Sequence, residues 1–102
     1  MITGRLKELS EEYEQLSNEI FRKLKMVIVE VRKNQKLHLS YNYDYDIKNV
    51  TVHDEFLHWI IGMGVVRITI PRYIMDMNND VEFTFAMMAA VHSKEICWGY
   101  TR

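Results

Sequence analysis

Asp54 and His58 stand four residues apart, a spacing that lets two side chains on one helical face reach a common metal ion, and His53 and Glu55 adjoin them. A metal centre needs further ligands, from His38, His92 or another acid, and the simpler reading is a helix-surface pair. Cys97 follows His92 by five residues, but a thiolate nucleophile needs a base within hydrogen-bond reach and a donor for the developing oxyanion. Gly62-Met63-Gly64 falls between an expected helix and an expected strand, the reverse of the order in a dinucleotide-binding turn, and reads as a helix stop and bend. No catalytic residue, metal or cofactor is therefore expected, and the chain reads as a non-enzyme.

The remaining chemistry is that of surfaces. Arg22, Lys23, Lys25, Arg32, Lys33 and Lys36 form the best nucleic-acid feature, centred on a basic hairpin Arg32-Lys36, although Glu19 and Glu30 interrupt it. Thirteen Lys and Arg against fourteen Asp and Glu give a net charge of −1, so no overall field favours phosphate. Tyr41, Tyr43 and Tyr45 form a ladder that could stack on bases, yet Asp44 and Asp46 alternate with them and ordinary core packing explains them better. Met63, Met75, Met77, Met87 and Met88 crowd the second half, and methionine suits a surface that adapts to a partner. The leading expectation is a protein- or peptide-binding module, with Tyr41, Tyr43, Trp59, Phe83, Phe85 and Met87 as contacts and homodimerisation as one possible form.

These residues need a scaffold. A chain of 102 residues and 12.2 kDa makes one domain, and 48% hydrophobic content places it among globular chains. A single cysteine excludes an internal disulfide. Leu6, Leu9, Tyr13, Leu16, Ile20 and Leu24 recur at steps of three and four and predict an amphipathic helix. The β-branched run Val27-Ile28-Val29-Glu30-Val31 predicts a strand, and a polar turn at residues 33–36 leads into strictly alternating residues 37–47. Thr51 and Asp54 suggest a capping box for a second helix through Phe56, Leu57, Ile60 and Ile61. Val66, Ile68 and Ile70 alternate as a strand that Pro71 ends, and Val81, Phe83 and Phe85 alternate as another.

The two halves then share an order of helix, strand, turn and strand. The predicted architecture is α+β, a tandem α-β-β repeat with units 1–48 and 49–102, forming a four-stranded antiparallel sheet with two helices on one face. A common core of Leu16, Ile20, Leu24, Leu39, Tyr41, Phe56, Ile60, Phe83 and Phe85 would leave a binding groove or sheet edge at the junction of the units. The tail from Ser93, with Ile96, Cys97, Trp98 and Tyr100, is too apolar to stay free.

In size, in tyrosine and methionine usage and in its lack of recognisable motifs, the chain resembles small orphan proteins of filamentous viruses that infect hyperthermophilic archaea. That resemblance implies a protein made inside the infected cell and transfers no site residues. With no secretory leader pattern and no apolar run near ~20 residues, a cytoplasmic location is expected and a membrane is not.

Overall fold

The protein is described from a computed structural model, which covers the backbone of residues 2–39 and 49–101 and the side chains of 18–39 and 49–101. Helix α1 (Ile2–Asn34) leads to β1 (Val50–Val52), β2 (Phe56–Ile61) and β3 (Val66–Pro71); then come α2 (Arg72–Met75), α3 (Asp80–His92) and β4 (Cys97–Tyr100). The strands form one sheet in the order β1-β2-β3-β4, and every neighbouring pair is antiparallel. This is the α+β class expected from the sequence. Among the described residues, no helix is long and apolar enough to cross a membrane.

The first helix runs past the point where a strand was expected. Ile20, Leu24, Val27, Ile28 and Val31 continue the helical stripe, and the last four are buried. Placing β-branched residues in a helix costs at most ~0.7 kcal/mol each, against about 1.5–3 kcal/mol gained by burying each side chain. The helix therefore wins, and Arg32–Lys36 is no hairpin but the end of α1 followed by a turn at Lys36, whose φ is 53°.

The expected second helix is strand β2. Burial alternates along it, with Leu57, Trp59 and Ile61 inside and Phe56, His58 and Ile60 on the opposite face. Leu57 pairs with Ile70, Trp59 with Ile68 and Ile61 with Val66, so three buried pairs cross from β2 to β3 on one face. The turn between them holds Gly62, Met63 and Gly64 at φ of 61°, 59° and 86°, and that left-handed run reverses the chain. A Cβ on Gly64 would meet nothing within 4 Å, so Gly64→Ala tests the backbone alone. It is expected to destabilise by about 1 kcal/mol in a urea titration, because alanine resists positive φ.

The segment expected as a strand at Val81–Phe85 is the start of α3. Asn79 caps it, its Oδ1 accepting from the backbone N–H of Val81 at 2.9 Å and of Glu82 at 3.0 Å, and Asp80 and Glu82 suit the positive helix end. Residues 49–101 thus hold three strands, two helices and a fourth strand, and they do not repeat an α-β-β order. The expected alternation over residues 40–47 lies outside the described residues. Its start, residues 37–39, is described and is not a strand, although Leu37 is buried and Leu39 half-buried around an exposed His38.

One core joins α1, α2, α3 and the inner sheet face, with Trp59, Phe83, Ile68, Ile70 and Ile74 fully inaccessible. Of the core expected from the sequence, Leu24 and Phe83 are buried, and Ile20 and Leu39 pack against the cluster. Phe56 and Ile60 lie on the other sheet face, Phe85 faces solvent, and Leu16 and Tyr41 lie outside the described side chains. The apolar tail packs back as expected: β4 pairs with β3 and Ile96 is buried. Gln35 fastens that end, its Nε2 donating to the carbonyls of Val91 at 2.9 Å and Ile96 at 2.7 Å while its own carbonyl accepts from Trp98 Nε1 at 3.0 Å.

Candidate functional site

The outer side of the helical layer carries an unusual surface. Helix α3 turns Phe83, Met87, Ala90 and Val91 inward, yet Val81, Phe85 and Met88 on its far side are apolar too. Phe85 is 71% exposed and Val81 63%. A helix with apolar residues all round is normally covered on all sides, and here one side meets solvent. Val81, Phe85, Met88 and His92 follow one another at steps of four, three and four, the spacing of a seam that packs against another helix.

Helix α1 widens this face. Arg22 pairs with Asp80 at 2.8 Å near one end and Gln35 reaches Val91 near the other, so α1 and α3 run parallel. Between them lies a shallow hollow of about 300 Å³ lined by Lys25, Met26, Val29, Glu30, Thr84, Met87 and Met88. Val29 is 60% exposed at its rim.

Of the described contacts expected from sequence, Phe85 is presented by this surface, and Met87 reaches it only as lining of the hollow. Trp59 and Phe83 are fully buried and Met87 is nearly so, because each points into the sheet–helix core. Tyr41 and Tyr43 lie outside the described residues. Val81, Met26 and Val29 were not expected as contacts, and Met88 was singled out only as one of the methionines suited to a partner surface; the spacing 81-85-88-92 marks Val81 and Met88 once Asn79 caps a helix.

The basic cluster is dispersed in the fold. Lys23 is interior at 4% exposure, its Nζ donating to the carbonyls of Met75 at 2.9 Å and Met77 at 2.6 Å and lying 5.4 Å from the Phe83 ring centre. Arg22 is ion-paired with Asp80, and the Lys25 ammonium sits 4.5 Å from the Phe21 ring centre. Arg32, Lys33 and Lys36 are exposed around the end of α1.

The sheet face turned away from the helices carries a histidine–aromatic cluster. His53, Phe56 and His58 cluster with ring centres 4.6–4.9 Å apart, and His58 shares that face with Arg67 and Thr69. Asp54 and His58, expected as a pair on a helix, sit on a bend and on a strand instead. Among the described residues, no three His, Cys, Asp or Glu side chains come together to hold a metal. Partial burial, the Arg67 guanidinium and His53 together push the His58 imidazole below its ordinary value of 6.5. The unfolded imidazole then takes up its proton at higher pH than the folded one. His58 therefore favours the fold above pH 6.5, and that support falls as the pH drops through the folded midpoint. An NMR titration is expected to place the His58 midpoint below 6.5, and Arg67→Gln to raise it part of the way back; an unchanged midpoint would reject the charge contribution.

A cavity of about 670 Å³ opens where β2 meets α2, lined in part by Asp54, Glu55, Phe56, Tyr73, Asp76 and Glu95. Tyr73 donates its hydroxyl proton to Glu95 at 2.8 Å, and that bond holds the phenol above its ordinary ionisation range. Arg72 is near Asp76 at 3.8 Å. The cavity thus combines acids, an aromatic wall and the Tyr73–Glu95 hydrogen bond.

Compared with known proteins, the chain matches no family model, no curated protein and no solved structure.

Proposed function

We propose that the chain is a non-enzymatic protein-binding module whose contact surface is the outer face of α3 with the adjoining side of α1. The observation that carries this reading is the all-round apolar character of α3, which leaves Val81, Phe85 and Met88 in water. Fully covering a side chain of this kind contributes about 1.5–3 kcal/mol, so a partner that covers all three gains several kcal/mol before the cost of association. The 4-3-4 spacing suits a helix as the docking element, laid along the seam with its own apolar residues between those of α3.

This reading puts the contact surface on the helical layer, because the described residues do not form two similar α-β-β units with a junction between them. The nucleic-acid alternative has less support, because Lys23 is occupied by two carbonyls and Arg22 by Asp80.

A photo-reactive phenylalanine analogue at position 85, compared with one at Thr51 on the opposite sheet face, tests the proposal. Irradiation under native conditions is expected to give protein adducts from position 85 and none from position 51. No adduct from position 85, or equal yields from both, would reject the α3 face as the binding surface.

A further inference from the structure

We infer that the partner of the α3 face is a second copy of this chain, docked antiparallel about a two-fold axis; this rests on the reading of α3 as a protein-binding surface. A two-fold interface must be self-complementary, each patch supplying both the projection and the recess that receives it. The α3 face has both. Phe85 projects at 71% exposure, and the α1–α3 hollow of about 300 Å³, lined by Met26, Met87 and Met88 with Val29 at its rim, opens beside it on the α1 flank between Thr84 and Met88. With an axis between Phe85 and Met88, each Phe85 enters the other copy's hollow, and Val81 lies level with the partner's His92.

Charge selects the same orientation. The first turn of α3 carries Glu82 beside Asp80, which Arg22 already pairs, while its last turn carries His92. Antiparallel docking sets Glu82 of each copy near the partner's His92, and it opposes the two helix dipoles favourably. Parallel docking would set acid against acid. Helix α3 is roughly 20 Å long and α1 lies beside it at about 8–10 Å, so the shared face is near the small end of stable interfaces. The association should therefore be concentration-dependent.

Sedimentation velocity or light scattering across the micromolar to millimolar range is expected to show the mass rising from 12.2 kDa toward twice that value. Phe85→Glu should raise the dissociation constant by about thirtyfold or more while leaving the circular dichroism unchanged, since the side chain is outside the core. Glu82→Lys and His92→Glu should each weaken the dimer, and the double variant should restore it, because the two swapped charges meet again across the axis. A chain that stays at 12.2 kDa throughout overturns the inference. Dimers that are indifferent to Phe85→Glu, or a double charge swap weaker than either single one, overturn it as well. If the chain is monomeric but position 85 still crosslinks to a different protein, the second copy is excluded while the protein-binding reading stands; if neither occurs, both fall.

Discussion

Trp59→Ala is expected to lower the unfolding free energy by about 3–5 kcal/mol, a large share of the ~5–15 kcal/mol available to a small domain. Trp59 is fully inaccessible at the middle of β2, pairs with Val50 on one side and Ile68 on the other, and belongs to the core shared with the helices. Removing the indole leaves a void that main-chain pairing on both sides prevents from collapsing. The change should appear in urea unfolding as a lower midpoint. Phe85→Ala is the informative companion, because an exposed side chain removed from a helix should alter stability by no more than about 0.5 kcal/mol. If both variants lose partner binding, only the second reports on the surface; the first loses it by unfolding.

Lys23→Ala is expected to cost about 2–4 kcal/mol, far beyond the effect of removing Lys25, two residues away. The Lys23 ammonium satisfies the carbonyls of Met75, the last residue of the short helix α2, and of Met77 just past it, and its removal leaves both without that donor at a mostly buried site. Lys23→Met retains most of the stem and none of the donors, so it separates packing from hydrogen bonding. It should recover part of the loss. Lys25 sits on the surface over Phe21, and Lys25→Ala should stay within about 0.5 kcal/mol. Equal effects from the Lys23 and Lys25 truncations would contradict the interior role of Lys23.

Lys23 also shows where sequence reading stopped. A lysine beside Arg22 and Lys25 looks like one member of a solvated basic patch, and its buried role depends on carbonyls 52 and 54 residues away. No local pattern records such a partner. The first helix was legible because its stripe has a period near 3.6, and β3 because Val66, Ile68 and Ile70 alternate. The run Phe56-Leu57-His58-Trp59-Ile60-Ile61 is apolar at almost every position and fits both periods, so tertiary pairing with β3 decides it. Val81-Glu82-Phe83-Thr84-Phe85 misleads in the opposite way, because its alternation is real while its apolar residues face opposite sides of a helix. Asn79 with Glu82 three residues later is the local start signal for this helix, and it lies within a polar run that reads equally as a turn. The α3 surface became visible only after that correction, since Phe85 read as a strand residue belongs to the core.

The three hydrogen bonds around Gln35 join residues 56, 61 and 63 positions apart. During synthesis at ~5–20 residues per second, α1 emerges roughly 3–12 s before Ile96 and Trp98 arrive to close this joint. Its apolar stripe is complete for all of that interval and lacks the α3 and β4 residues that will anchor its end. Contacts of such long sequence separation slow folding, because the intervening chain must be gathered first. The nascent chain therefore passes through a period as an unattached amphipathic helix, and that is when it most needs protection from association with its neighbours.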